Sequence, residues 1–140
     1  MYERFVTDLF QVGRLYHRAP MPPERVPTQI TLHQKSRVLE IAFSDGRGFH
    51  LPYEYLRVYS PSAEVRGHGP GQEVLQTGKR NVEIRALEAV GSYAVQPLFS
   101  DSHSTGIYAW DYLYELGEEQ DRLWAEYLRK LEVQGGSRDK

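Results

Sequence analysis

The sequence has no cysteine. Disulfides, thiol nucleophiles and cysteine-held zinc or iron–sulfur clusters are therefore excluded for these residues acting alone. It has no long apolar run. A membrane helix needs about 20 consecutive apolar residues, and the start, Met1-Tyr2-Glu3-Arg4-Phe5, lacks the apolar stretch of a secretory signal. It has little net charge: 17 basic against 19 acidic side chains give −2. That balance provides no electrostatic footprint for nucleic acid or an anionic membrane. The expectation is a cytoplasmic protein with neither partner. The chain also lacks an H-x-x-x-H or H-E-x-x-H pair among its five histidines, a G-x-S-x-G serine context and a complete P-loop; Gly78-Lys79-Arg80 has neither the spacing nor the hydroxyl.

What remains is the makeup of one soluble domain. The 140 residues are 40% hydrophobic and 26% charged, enough to bury a core without staples. Ten tyrosines and two tryptophans bring apolar area with a polar handle.

The pattern along the chain changes period several times. Tyr2, Phe5, Val6, Leu9 and Phe10 recur with helical spacing before Gly13, which predicts a short N-terminal helix. Four prolines between Ala19 and Pro27 read as an extended linker. Residues 1–27 are thus expected to be an appendage, 28–133 the domain and 134–140 a disordered tail. From Thr28 the period is two: Ile30 and Leu32, then Leu39, Ile41 and Phe43, then Phe49 and Leu51. The turns Gln34–Arg37 and Asp45-Gly46 separate these runs, giving a three-stranded antiparallel meander. Pro52 opens a short helix, Tyr53 to Val58, which Ser60-Pro61 ends. Residues 64–81 read as a polar connection, with Gly67-His68-Gly69-Pro70-Gly71 as an exposed loop. Strands around Val82–Leu87 and Tyr93–Phe99, with a short one at Gly106–Tyr108, make a second meander. Helical spacing from Trp110 is expected to break at Gly117. A long helix follows, with Leu123, Trp124, Tyr127, Leu128 and Leu131 on one face and a stop at Gly135-Gly136. The fold class is therefore α+β: a mostly antiparallel domain of two meanders, a short helix between them and a long C-terminal helix packed on the sheet.

Two stretches concentrate polar, aromatic and turn-forming residues: Leu56–Ala63 and Asp101–Trp110. They supply the candidate binding surface: Arg57, Ser60, Ser62, Asp101, His103 and Trp110. Arg57 is expected to pair with Glu54 or Glu64, or with a carboxylate of a partner, and Trp110 to serve the core. A weak metal site using His103, with Asp101 and His68, or with Asp45, is the alternative. A third reading gives the Gly67–Gly71 loop a small-molecule ligand.

The same stretches carry a resemblance. Leu56-Arg57-Val58-Tyr59-Ser60-Pro61-Ser62-Ala63-Glu64, Val90-Gly91-Ser92-Tyr93-Ala94-Val95, Phe99-Ser100-Asp101-Ser102-His103 and Gly106-Ile107-Tyr108-Ala109-Trp110 resemble the gamma-butyrobetaine hydroxylase-like N-terminal domain family, over about Thr28 to Leu131. In the hydroxylases, such a domain precedes a separate iron- and 2-oxoglutarate-dependent domain, for which 140 residues filled by this one leave no room. The resemblance therefore implies no enzyme activity and no cofactor. It also implies positions for a structural zinc: three cysteines fall at Ser60, Ser62 and Val65, and a histidine at His103. Three of those four ligands are replaced, so no metal is expected. Similar domains are fused to P-loop iron–sulfur carrier ATPases. That company implies a protein-interaction module linked to iron–sulfur cluster assembly or delivery, with such an ATPase as the candidate partner.

Overall fold

A computed structural model describes residues 3–5 and 25–140. The alternating pattern after Val26 forms β2 (Pro27–His33), β3 (Val38–Phe43) and β4 (Gly48–Pro52), paired antiparallel in that order. Alternation sets which face is buried: Ile30, Leu32, Leu39, Ile41 and Leu51 are at most 1% exposed. Gly46, with φ 90, takes the turn between β3 and β4, where only a residue without Cβ is unstrained. A further strand, β1 (Glu3–Phe5), pairs antiparallel with β2 from Glu3↔His33 to Phe5↔Thr31. The helix expected from Tyr2 onward is therefore wrong at these three residues. Free hydrogen-bonding groups on the β2 edge recruit them into a sheet. The rest of that helix, and most of the proline-rich linker, lie outside the described residues.

Pro52 closes β4 and caps α1 (Tyr53–Val58). All six residues of α1 are buried, so it runs through the interior and its two charges must find partners there. A one-turn α2 (Ala63–Arg66) interrupts the expected loop. The second sheet has the order β5 (Ile84–Val90), β6 (Ala94–Phe99) and β7 (Tyr108–Ala109). β7 pairs only with Ala94 and Val95, so Pro97 sits where β6 has one neighbour and its missing N–H is tolerated.

α3 (Trp110–Glu118) and α4 (Gln120–Gln134) complete the domain. The break falls at Glu119, two residues beyond the expected Gly117. Gly117 is inside α3 because the Phe49 ring rests on it; an added Cβ would overlap that ring. Gly135, left-handed at φ 71, ends α4 as expected.

One apolar cluster joins both sheets, α1 and α3. The tyrosines serve this core. Tyr55, Tyr59, Tyr108, Tyr112 and Tyr127 each donate their hydroxyl to a main-chain carbonyl of a distant segment, at Leu116, Leu123, Leu56, Tyr59 and Gln76 respectively. Each buries a ring and satisfies a carbonyl at one stroke.

The tail expected to be disordered is docked. Gly78 N–H donates to the Ser137 carbonyl at 2.9 Å, and Arg80 N–H to that of Arg138 at 3.0 Å. Arg138 pairs with Glu54, and Asp139 with Arg80.

Candidate functional site

The two polar stretches meet. Ser60 and Ser62 follow α1 on the short link to α2, and His103 ends the turn after β6. Ser102 takes the left-handed conformation, φ 70, and His103 C=O accepts from Phe99 N–H at 3.0 Å. That tight turn sets the imidazole near the Phe99 ring, 6.0 Å between centroids.

Both imidazole nitrogens are engaged. Nδ1 lies 3.0 Å from Glu64 Oε1. Nε2 lies 2.9 Å from Ser60 Oγ and 3.3 Å from Ser62 Oγ. A carboxylate only accepts, so Nδ1 carries a proton and donates it to Glu64. In the neutral ring Nε2 is then an acceptor, and the Ser60 hydroxyl donates to it. Burial is the largest influence on the ring and pushes its pKa below the usual histidine range; the nearby Arg57 charge acts the same way. Glu64 pulls upward but loses, because its carboxylate is 65% exposed and water screens it.

A second knot lies alongside. Arg57 Nε donates to Asp101 Oδ2 at 2.9 Å, and Lys79 Nζ to the same oxygen at 2.6 Å. Partial burial would raise the Asp101 pKa, but the Lys79 and Arg57 contacts outweigh it and hold the pKa low. Asp101 Oδ1 accepts from His103 N–H at 3.3 Å, tying the knots together. One Arg57 donor, Nη1, is buried without a partner. The pairing expected of Arg57 with Glu54 or Glu64 is therefore corrected: α1 turns Arg57 toward Asp101, while Glu54 takes Arg138 and Glu64 takes His103.

The candidate surface is mostly not a surface. Arg57, Ser60, Ser62, His103 and Trp110 are all under 9% exposed; of the six residues only Asp101 is exposed. Trp110 is core, and its Nε1 donates to the Ser92 carbonyl at 3.0 Å. Exposed residues of the two stretches and α2 form a rim around the knot, among them Glu64, Arg66, Ser102, Thr105 and Ile107. Thr105 Oγ1 donates to Glu64 at 3.2 Å, closing that rim.

Ser60, His103 and Glu64 have the contact order of nucleophile, base and acid. The arrangement cannot take a substrate. Ser60 is 1% exposed, and Gly106 packs so closely that an added Cβ would lie 2.5 Å from its Oγ. Two clefts, of about 250 and 430 Å³, are lined by neither Ser60 nor His103. A reacting carbonyl needs a place within about 3 Å of the nucleophile, and among the described residues neither cleft reaches Ser60.

The set does not suit zinc either. Zinc takes thiolate, imidazole or carboxylate. Here two hydroxyls, the Val65 isopropyl group and one fully engaged imidazole occupy the corresponding positions. Among the described residues no group of three His, Asp or Glu side chains is placed to hold a metal ion. His68 is exposed on its loop, and it shares no hydrogen bond or ion pair with Asp101 or His103. The Gly67–Gly71 loop lines neither cleft; Gly67 closes it instead by close approach to Gln72.

Glu64 as the partner of His103, and Lys79 as the partner of Asp101, are the contacts that sequence reasoning missed. Glu64 stood inside the family-like stretch but reads as an ordinary surface acid. Nothing local distinguishes Lys79.

Comparison with known proteins follows these features. No curated protein matches. Two proteins with NMR solution structures are 47% and 48% identical. The alignments cover 83% and 86% of this chain and 91% and 88% of theirs, each with a TM-score of 0.72. A crystal structure of a protein with unknown function, of the DUF971 family from Acidithiobacillus ferrooxidans, is 38% identical. It covers 69% of this chain and 98% of its own, with a TM-score of 0.59. The family model of the gamma-butyrobetaine hydroxylase-like N-terminal domain matches residues 30–114. What matches is the model of the N-terminal domain rather than of an oxygenase. No helix among the described residues is long and apolar enough to cross a membrane. The chain belongs to the gamma-butyrobetaine hydroxylase-like N-terminal domain family.

Proposed function

We propose that this chain is a non-catalytic protein-interaction module that serves iron–sulfur cluster assembly or delivery, with a P-loop iron–sulfur carrier ATPase as its partner. One observation supports the module reading above others. The polar residues of the two family-like stretches are spent on each other: His103 has both nitrogens bonded and Ser60 is sealed. Such a knot performs no chemistry on a substrate. It fixes the relative position of two loops and so the shape of the rim they expose. Glu64, Arg66 and Thr105 give that rim hydrogen-bonding groups, and Ile107, 49% exposed, gives it an apolar contact. Loops held by a rigid base commonly carry recognition. The iron–sulfur connection rests on the domain company that similar domains keep, which is an association rather than a physical argument.

The test is a titration of isotope-labelled protein with a purified iron–sulfur carrier ATPase, followed by amide NMR. Saturating shifts at residues 64–66 and 102–107, lost in an Ile107→Asp variant that remains folded, are the expected result. An unchanged spectrum at a carrier concentration of about 100 μM, which leaves any Kd far weaker than micromolar, would remove the carrier from the proposal. Turnover by the isolated chain that Ser60→Ala abolishes would overturn the non-catalytic reading itself.

A further inference from the structure

The last residues of the chain occupy a slot on the opposite end of α1, and they are held there as a peptide ligand is held. Glu54 is only 7% exposed. A carboxylate at that depth needs donors. Arg138 Nη2 and Nε donate to its two oxygens at 2.6 and 2.8 Å, a two-pronged pairing that guanidinium geometry favours. The guanidinium carbon also lies 5.2 Å from the centroid of the Trp124 ring, within reach of a cation–π contact. The slot therefore has a buried carboxylate on one side and an indole face on the other.

The main chain is gripped as well. Ser137 and Arg138 carbonyls accept from Gly78 and Arg80 N–H groups, and Asp139 pairs with Arg80 at 2.5 Å. Main-chain pairing with a strip of backbone plus one anchored side chain is how extended peptides dock. The segment leaves α4 through Gly135, left-handed at φ 71, and Gly136, so it can pivot at these glycines once the contacts of residues 137–139 are exchanged for those of a competing segment. Beside the anchor a cleft of about 430 Å³ remains, lined by Pro52, Tyr55, Trp124 and Leu128 as well as Glu54 and Arg138. Leu128 is 40% exposed there. The slot thus offers a site for an apolar side chain next to one for an arginine.

We infer that the Glu54–Trp124 slot is a docking site for an extended, arginine-bearing segment of a partner protein, and that residues 137–140 hold the slot in the free chain. Charge complementarity sets the ligand chemistry: a buried carboxylate and an indole select a guanidinium, as Arg138 shows. The inference rests on the binding-module reading and names a second face for it, distinct from the rim around His103.

The experiment uses the full chain carrying Arg138→Ala, and a synthetic peptide of residues 135–140, with a control peptide bearing alanine in place of the arginine. Binding is read from the Trp124 indole and the Gly78–Arg80 amides by NMR. The arginine peptide is expected to saturate these shifts in the variant and the control peptide to leave them unmoved. The unaltered chain should bind roughly tenfold or more weakly, because its own tail competes at high effective concentration. Glu54→Gln added to the variant should abolish binding. If Arg138→Ala disturbs the fold, an Arg138→Gln variant, which vacates the cation site yet keeps a hydrogen-bond donor beside Glu54, serves in its place. Equal binding of both peptides, or none to a folded variant, overturns the inference. A native chain that sediments as a dimer, and as a monomer after Arg138→Ala, assigns the slot to a second copy and overturns the partner. Carrier-induced shifts confined to the His103 rim, with peptide binding absent, leave the module reading intact and remove only this slot.

Discussion

His103→Ala is the perturbation that bears hardest on the knot between the two loops. It removes the acceptor of the Ser60 hydroxyl, and Ser60 is 1% exposed, so water cannot replace the lost partner. Leaving a buried hydroxyl unsatisfied costs about 1–3 kcal/mol. The missing imidazole also leaves space against the Phe99 ring, which adds about 1 kcal/mol. The exposed end at Glu64 contributes little, since screened contacts are worth under about 1 kcal/mol. The total is about 2–4 kcal/mol. For a domain of this size each kcal/mol moves Tm by about 3 °C, so thermal unfolding should fall by about 6–12 °C. Urea denaturation checks the same quantity with an unchanged slope. A double-mutant cycle with Ser60→Ala isolates the pair: once the hydroxyl is absent, removing the ring should cost about 1 kcal/mol less. A loss below about 0.5 kcal/mol for His103→Ala, the range of an ordinary surface change, would refute the claim that the knot holds the loops.

Other expectations follow from the same geometry. The folded-state pKa of His103 lies below the ordinary histidine value of 6.5, so the unfolded chain binds the extra proton first and stability should fall as pH drops below 6.5; His103→Gln should flatten that part of a urea-midpoint profile. Asp101 has its pKa held low, and its contribution should vanish at more acid pH, below 3.8, with Lys79→Ala and Arg57→Ala each weakening it. Gly117→Ala should destabilise by about 1–3 kcal/mol through overpacking against Phe49, although alanine in an exposed helix normally stabilises by about 1 kcal/mol; thermal melts give the sign. Tyr55→Phe should cost about 1 kcal/mol, because the buried Leu116 carbonyl loses its donor.

The legible parts of the sequence were those with local causes. Alternation fixed the faces of β3 and β4, Asp45-Gly46 their turn, Pro52 the start of α1 and Gly135 the end of α4. The unexpected parts depended on distant partners. Glu3–Phe5 carries helical spacing, but the β2 edge pairs it as a strand. Gly117 reads as a helix breaker until Phe49 is seen to lie against it. The tail reads as free until Glu54, buried on the wholly interior α1, is found to require Arg138. The meeting of Ser60, Ser62 and His103 was legible through the family-like motifs, whereas their burial was not: polar, turn-forming residues give the same local signal at a surface and in a sealed knot.

The central claim is that His103 is a neutral, fully bonded strut between the loops. Long-range nitrogen–proton NMR of its imidazole at neutral pH tests this most directly. The account expects a proton on Nδ1, facing Glu64, and a bare Nε2 accepting from Ser60, with the ring unprotonated down to a pH below the usual histidine range. A proton on Nε2, or a doubly protonated ring at pH 7, would contradict it.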